Sequence, residues 1–278
     1  MKKFILWFLA IVITLSAAIY QRMTGPTYPK RINVTVNNTV HELRLVRTLS
    51  LGEKSEIRLD LNDSNIRAKL FFKRYKSESE YQAEEFDYRP DPKHGGFFAG
   101  VPQQPVAGKI QYYIEITDLK GSQTYLKENP VVIRFKGDVP AFVLVPHILL
   151  MFIAMLFSTL AGLMAVIKYP MYKKYAVWTL ILFIAGGFVL GPLVQYFAFG
   201  ELWTGIPFGW DLTDNKTLIA LIFWILAVAM NRKKERPLYI VLAAFVLLVV
   251  FSIPHSLFGS ELNYSSGQVT NGIILNLF

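Results

Sequence analysis

The chain contains no cysteine among its 278 residues and only four histidines. The absence of cysteine excludes disulfide bonds, thiolate metal sites and cysteine nucleophiles. The glycine-rich phosphate loop, the G-x-S-x-G nucleophile motif and the HExxH zinc motif are also missing. No row of acidic or basic residues runs through the long apolar segments, as a transporter would need. These absences argue against several common enzyme and transporter classes.

Hydrophobic residues, by contrast, make up 53% of the chain. Residues 141–167 contain no acidic or permanently basic side chain. At about 1.5 Å per residue, this segment is longer than a hydrocarbon layer roughly 30 Å thick. Similar segments follow at residues 176–199, 213–230 and 237–257. The helix cap of the segment 213–230 would be Asp211 or Thr213. We predict a helical membrane bundle in residues 140–278 with four transmembrane helices.

Residues 1–20 join two lysines to a further apolar run. The small residues Ser16, Ala17 and Ala18 would suit cleavage of a signal peptide, but the run is longer than the usual apolar region of such peptides. We therefore favour an uncleaved N-terminal transmembrane anchor, which brings the predicted number of helices to five.

Basic residues are concentrated beside the ends of these helices. The basic residues are Lys2 and Lys3 and those of the turns 168–174 and 231–236. These segments include a single acidic residue, Glu235. The positive-inside rule then predicts a protein of the bacterial inner membrane with its N-terminus in the cytoplasm. The predicted periplasmic parts are residues 21–139, the loop 200–212 and the C-terminal tail 258–278. Because topology explains the net charge of +9, we predict no nucleic-acid partner.

Residues 21–139 have the alternation of apolar and polar residues that is typical of half-buried strands. Turn residues separate about six or seven such runs, for example at residues 62–64 and 118–121. A series of short strands without a long helix predicts an antiparallel β-sandwich.

The end of this region resembles the last hairpin of an immunoglobulin-like or fibronectin type III-like domain. The resemblance depends on residues 108–118, which read GKIQYYIEITD, on Gly121 and on residues 130–133, which read PVVI. It implies an all-β immunoglobulin-like sandwich inserted between the anchor and the helical bundle. It also suggests a binding role, and it implies no particular chemistry.

Residues 86–108 contain four prolines and four glycines, which predicts a long loop. Tyr88, Phe97 and Phe98 would be apolar residues in an exposed segment, and we interpret them as a partner contact. The alternative is that the two phenylalanines fold back over the edge of the sandwich.

Two histidines follow prolines near the predicted outer surface, namely His147 and His255. Because their helices run in opposite directions, both rings should lie at similar depth. Two neutral imidazoles at the mouth of a bundle can bind a b-type haem or a transition metal. Alternatively, each is an interfacial histidine that bonds to a free carbonyl group near its proline. A further alternative is copper bound by His147, Met151 and Met155, which share one helix face, although methionines at this spacing often only fill space.

The segment around residues 200–217 is rich in aromatic and polar side chains. We hypothesise that part of it lines an outward-facing cleft for a small ligand or a proton. Its residues would be Trp210, Asp211, Asp214, Asn215, Lys216 and Glu261. The alternative is an ordinary helix cap at the membrane surface.

Small residues recur every four positions in two successive predicted helices. They are Ala154, Ser158 and Gly162 in the first helix and Gly187 and Gly191 in the second. Such rows allow helix backbones to approach closely, so we predict packing between these helices or against another subunit.

Taken together, these features predict a non-enzymatic accessory or scaffolding subunit of a larger envelope complex. Its partners would be the lipid bilayer and other membrane or periplasmic subunits. The alternatives are a haem- or metal-binding redox protein that uses His147 and His255, and a small-ligand sensor at the outer cleft.

Overall fold

The computed structural model describes residues 1–91, 93–255, 261–264, 267 and 269–270. These residues form two compact units. A helical unit contains residues 1–26 and 139–255, and a β-unit contains residues 27–138 together with the described part of residues 261–270. The chain is therefore a mixed helical and β protein.

The helical unit contains six α-helices and one π-helix among its described residues. In chain order these are α1 (Lys2–Thr24), α2 (Ala141–Val166), α3 (Tyr172–Phe183), the π-helix (Ile184–Leu190), α4 (Gly191–Phe199), α5 (Leu212–Met230) and α6 (Pro237–Ser252). The α3, π and α4 segments follow one another directly and form one apolar helix from Tyr172 to Phe199. With α1, α2 and α5, this gives four helices long and apolar enough to cross a bilayer. They suggest a membrane protein in contact with lipid.

The last helix is shorter than the predicted segment 237–257. It contains 16 residues, which corresponds to about 24 Å. It ends at Ser252 because Ile253 has an extended backbone and Pro254 follows. Among the described residues, four helices rather than the predicted five therefore reach the length of a typical span.

The helices pack around α2, which contacts α1, α3 and α6, while α5 contacts α3 and α6. Their common core combines alanines, such as Ala154, Ala227 and Ala243, with large side chains, such as Phe183 and Trp224. The small residues allow close approach of the helix backbones, and the large ones fill the remaining space.

The described residues of the β-unit form thirteen short strands. They are β1 (Lys30–Val36), β2 (Thr39–Leu45), β3 (Thr48–Ser50), β4 (Glu56–Leu59), β5 (Arg67–Arg74), β6 (Gln82–Glu85), β7 (Asp87–Arg89), β8 (Gly96–Gly100), β9 (Lys109–Asp118), β10 (Gly121–Tyr125), β11 (Val131–Lys136), β12 (Glu261–Leu262) and β13 (Val269–Thr270).

These strands form several sheets. The largest has the strand order β3-β11-β9-β5-β6, and β10 also pairs with β9. A second sheet has the order β4-β8-β7, and two hairpins, β1-β2 and β12-β13, complete the unit. All pairs are antiparallel except β3 with β11.

Side chains from the two larger sheets and from the β1-β2 hairpin share one hydrophobic core. They include Leu43, Leu59, Leu70, Phe97, Ile114 and Phe135. The predicted alternation is visible in β5, where Ala68, Leu70 and Phe72 are buried and their neighbours are more exposed. A period of two thus directs one face of β5 into the core.

Two features differ from the sequence-based expectation. The segment 86–108 is not one long loop, because β7 and β8 lie within it. Gly96 has a φ of 138°, and a Cβ atom there would lie 2.5 Å from the carbonyl oxygen of Leu59. Glycine therefore permits the close pairing of β8 with β4 in a segment whose composition suggested a loop.

The second difference concerns the tail 258–278, which we predicted together with the helices. Its described residues 261–264, 267, 269 and 270 belong to the β-unit. Residues 258–260, 265, 266, 268 and 271–278 of this prediction lie outside the described residues.

Candidate functional site

The polar residues at the start of α5 form hydrogen bonds with the first turn of α5 and with the loop that precedes it. Asp211 is the N-cap of α5, and its Oδ1 atom accepts hydrogen bonds from the backbone N–H groups of Thr213 at 2.8 Å and Asp214 at 3.2 Å. An aspartate at this position satisfies free N–H groups of the first turn. The predicted cap is confirmed.

Asp214 is a buried carboxylate that binds the loop before α5. Its Oδ2 atom accepts hydrogen bonds from the backbone N–H of Thr204 at 2.6 Å, from the Thr204 hydroxyl at 3.2 Å and from Nε2 of Gln195 at 3.2 Å. Gln195 lies on α4 and also donates to the Thr204 hydroxyl at 2.8 Å. The carboxylate therefore connects α4, the loop and α5.

Asn215 continues this contact one residue further along α5. Its Oδ1 atom accepts a hydrogen bond from the backbone N–H of Ile206 at 2.7 Å. A Cβ atom on Gly205 would lie 2.6 Å from Cβ of Asp214, so the loop can approach α5 only with glycine at this position. Trp210, which we predicted to line the cleft, is exposed.

Lys216 is a buried cation, with 4% of its surface exposed. Its ammonium group donates a hydrogen bond to the carbonyl oxygen of Ile253 at 2.6 Å, and Gln21 donates to the same oxygen at 3.4 Å. This carbonyl follows the end of α6, where no further helical turn can use it. Lys216 thus connects α5 with the ends of α1 and α6.

Most of the predicted cleft residues therefore bind other parts of the protein. Glu261 lies in the β-unit, where its carboxylate pairs with Lys76 and Lys109. A ligand at Asp211 or Asp214 would compete with the hydrogen bonds that hold the loop. The sequence suggested these residues because capping, pairing and ligand binding require the same side-chain types.

His147 has a defined hydrogen-bonding partner. Its Nδ1 atom lies 2.9 Å from the carbonyl oxygen of Gly186 in the π-helix. A carbonyl oxygen can only accept, so Nδ1 carries the hydrogen and the neutral ring presents its lone pair at Nε2. His147 lies in the first turns of α2, and His255 lies three residues after the end of α6. A shared site for the two predicted haem ligands stays a prediction.

The methionines of the predicted copper site contribute to packing. Met155 is buried, and Sδ of Met151 would lie 3.0 Å from a Cβ atom on Gly186. In the described part of the chain, no group of three or more histidine, aspartate or glutamate residues is arranged to hold a metal ion. Copper binding by His147, Met151 and Met155 stays a prediction.

The two rows of small residues contact different partners. Ala154, Ser158 and Gly162 are buried on α2, and a Cβ atom on Gly162 would lie 2.6 Å from Cβ of Ala244 on α6. Gly187 lies beside Met151 and Thr217, and Gly191 lies beside His147. α2 does pack against the following helix, but this contact involves larger side chains of α2 together with the glycines of the π-helix.

The predicted partner contact in residues 86–108 is not a set of exposed rings. Phe97 is only 2% exposed and packs in the core against Tyr88, with 5.1 Å between the ring centroids. Phe98 lies beneath the guanidinium groups of Arg58 and Arg89. The alternation within β8 directs Phe97 inward, and the two arginines cover Phe98.

A different surface is formed by three polar turns of the β-unit and the strand residues beside them, residues 37–40, 63–65 and 118–121, which we call the turn cluster. Asn37 donates from its backbone N–H to Asp118 at 2.9 Å and from its side chain to Asp63 at 2.8 Å. The Lys120 ammonium contacts the side-chain oxygen of Asn38. These contacts hold the three turns together.

Two large apolar side chains project from the turn cluster. Val40 is 64% exposed and Leu119 is 86% exposed. β1 and β9 run towards the cluster, whereas β11 runs antiparallel to β9 and leads away from it to Lys136. The cluster therefore lies at the end of the β-unit remote from the point where the chain continues to α2.

Sequence reasoning did not identify this surface, although the adjacent residues Asn37 and Asn38 are a local sequence signal for one of its turns. Asn37 and Asn38 both have positive φ, 46° and 71°, as a type I′ hairpin turn requires. Hydrogen bonds from backbone N–H groups lower the pKa of Asp118, with Asn37 as the largest contributor, and that of Asp63, with Asn65 as the largest. Only the fold brings these separate turns together.

Comparisons with known proteins do not assign this chain: no family model, no curated protein and no solved structure matches it. A function for this chain is therefore inferred from the geometry of its residues.

Proposed function

We propose that this chain is an accessory or scaffolding subunit of a larger complex in the bacterial cell envelope, without enzymatic activity. In this proposal the helices lie in the inner membrane, the N-terminus is cytoplasmic, and the β-unit is an immunoglobulin-like domain in the periplasm. The observation that carries the proposal is the turn cluster. The β scaffold presents Val40, at the start of β2, and Leu119, in the turn after β9, where hydrogen bonds join neighbouring turns, as binding loops are presented in many proteins.

The membrane placement is supported by the outer surface of the helices. Large apolar side chains such as Phe142, Leu149 and Phe245 are exposed, which is favourable in lipid and unfavourable in water. α1 also packs against α2 and α6 through Leu6 and Ala10. This packing supports a retained anchor rather than a cleaved signal peptide.

The orientation is supported by the path of the chain. Residues before α2 and residues after α6 both belong to the β-unit, so both should lie on the same side of the bilayer. An even number of crossings is then required between them. α2, the helix Tyr172–Phe199 and α5 supply three, and α6 supplies the fourth despite its length. The basic turns 168–174 and 231–236 then lie together in the cytoplasm.

The proposal can be tested by native copurification of the full-length chain followed by mass spectrometry. A variant that combines Val40→Lys and Leu119→Lys should lose a protein that copurifies with the wild type, because charges replace the apolar contact. Glu84→Lys on the exposed strand β6 is the matched control and should retain it. Retention of every copurifying protein by the double variant would contradict this use of the turn cluster.

A second candidate function, a b-type haem or transition-metal protein, rests on the geometry of His147. The bond from Nδ1 to Gly186 leaves Nε2 as the coordinating atom, an arrangement common for metal-bound histidine. His147 and His255 would be the axial ligands, and the bound group would supply electron transfer. A Soret absorption band in the purified protein that is lost in both His147→Ala and His255→Ala would support this function. A colourless, metal-free preparation that retains its partners would favour the scaffold.

A further inference from the structure

The segment Glu261–Tyr264 is bound to the rest of the β-unit by a set of specific contacts. The ammonium groups of Lys76 and Lys109 each lie 3.2 Å from Oε2 of Glu261. Both ammonium groups also lie near the face of the Tyr75 ring, 5.3 and 5.5 Å from its centroid. Two cations on an aromatic ring thus form a clamp for one carboxylate.

The carboxylate clamp is protected from water on one side, whereas the side chain of Lys76 is 55% exposed. The side chains of Lys109 and Glu261 are 16% and 19% exposed. Burial lowers the pKa of Lys109, and the charge of Glu261 acts in the opposite direction. A buried ammonium group that loses its partner is unfavourable, so this position requires a carboxylate.

Tyr264 occupies a second specific position three residues later. Its hydroxyl accepts a hydrogen bond from the backbone N–H of Lys109 at 3.2 Å and lies 3.0 Å from the side-chain oxygen of Gln104, to which it can donate. The guanidinium group of Arg74 lies 4.6 Å from the ring centroid. Arg74 therefore contacts the ring of Tyr264, and Lys109 and Gln104 bind its hydroxyl group.

The backbone contributes a third contact. The N–H group of Leu262 donates to the carbonyl oxygen of Ala107 at 3.1 Å. Ala107 is buried and has a φ of 62°, a conformation that is unfavourable for a residue other than glycine. At the next residue, a Cβ atom on Gly108 would lie 2.7 Å from Cβ of Gln104, 2.8 Å from the carbonyl oxygen of Pro105 and 3.0 Å from the Tyr264 hydroxyl. Glycine is therefore required by its own loop as well as by the close approach of Tyr264.

We propose that this face of the β-unit is a peptide-recognition site that the chain's own residues 261–264 occupy. Its external ligand is a peptide segment that carries a carboxylate in a short strand and, three positions later, a tyrosine in a turn. The charges favour such a ligand, since Lys76 and Lys109 hold a single carboxylate and the Arg74 guanidinium group lies over the tyrosine ring. The site is independent of the turn cluster, so either proposal can fail without the other.

The site can be tested in the full-length chain with a protease cleavage sequence inserted after Ser256, because the protein folds before it is cut. The probe is a fluorescent synthetic peptide with the sequence of residues 259–270. The uncut chain should not bind the probe, since its tethered segment has a high effective concentration. After cleavage and dilution, saturable binding of the probe is expected by fluorescence anisotropy.

Two peptides serve as specificity controls. A scrambled peptide of the same composition should not bind, and a peptide with Glu261→Gln and Tyr264→Phe should bind at least about tenfold more weakly, because hydrogen bonds to charged groups are lost. An uncut chain with Glu261→Ala and Tyr264→Ala provides a second open site and should bind the wild-type probe. Equal binding of the scrambled peptide, or no binding by either the cleaved chain or this variant, would overturn the proposal.

Discussion

Nδ1 of His147 on α2 donates a hydrogen bond to the carbonyl oxygen of Gly186, 2.9 Å away in the π-helix. The same oxygen also accepts the backbone N–H of Gly191, five residues further along, as a π-helix requires. One carbonyl group therefore receives two donors in an apolar environment. The π-helix Ile184–Leu190 and the histidine ring each help to determine the position of the other.

Replacement of His147 by alanine should destabilise the helical unit. The hydrogen bond to Gly186 is lost, and bonds between membrane helices contribute about 0.6 kcal/mol on average and at most roughly 1.7 kcal/mol. Thermal unfolding of the purified protein in detergent would measure the change. His94→Ala, at an exposed residue of the β-unit, is the control and should leave the midpoint unchanged. An unchanged midpoint for His147→Ala would mean that the hydrogen bond does not contribute to stability.

Gly162→Ala should separate α2 from α6. The new Cβ atom would lie 2.6 Å from Cβ of Ala244, and overpacking of this kind typically costs about 1–3 kcal/mol. The double variant Gly162→Ala with Ala244→Gly should recover most of the lost stability because it restores the space. Thermal unfolding in detergent again provides the measurement. Failure of the second substitution to compensate would argue that the two residues are not in contact.

Asp214→Ala should release the loop before α5. Thr204 and Gln195 lose their hydrogen bonds to the Asp214 carboxylate, and hydrogen bonds to charged groups contribute about 1.5–3 kcal/mol. We expect faster proteolytic cleavage within residues 200–210, measured by mass spectrometry of the fragments. Glu201→Ala removes an exposed carboxylate from the same loop and should retain the wild-type cleavage rate. Equal rates for both variants would assign no anchoring role to Asp214.

The turn cluster should loosen in acid. Because hydrogen bonds from Asn37 and Lys120 lower the pKa of Asp118 in the folded protein, its contribution to stability is present above the unfolded value, about 3.9. It is lost as the pH falls through the lower, folded value. Hydrogen exchange at Asn37 should therefore accelerate in acid relative to unstructured reference peptides. Asp118→Asn should show weaker protection at pH 7 and should converge with the wild type at low pH. Parallel curves at all pH values would contradict this role.

Much of the architecture follows from patterns along the chain. The alternation in residues 67–74 predicts the half-buried strand β5, and Asp211 before an apolar run predicts the start of α5. Glycine and proline content was a poor guide to β8, because Gly96 permits a close approach between strands as well as a turn. The end of α6 was predicted five residues too late because hydropathy alone does not register an extended residue such as Ile253.

The candidate sites were harder to predict than the elements that carry them. Asp214, Asn215 and Lys216 have the chemistry of a ligand site, yet their partners are Thr204, Ile206 and Ile253. Glu261 was grouped with the membrane residues because it follows α6, whereas it binds Lys76 and Lys109 of the β-unit. In each case the partner lies far along the chain or contributes a backbone group, which composition does not reveal.

The sequence by itself determined which segments are apolar helices, which alternate as strands and where charge accumulates, because these properties depend on the nearest neighbours in the chain. Only the tertiary structure decided that Glu261 and Tyr264 return to Lys109, that Asn37 joins Asp63 to Asp118, and that His147 bonds to Gly186. Hydrogen bonds and ion pairs require contact within about 3–4 Å. For residues far apart in the chain, that contact is created by the packing of the whole unit.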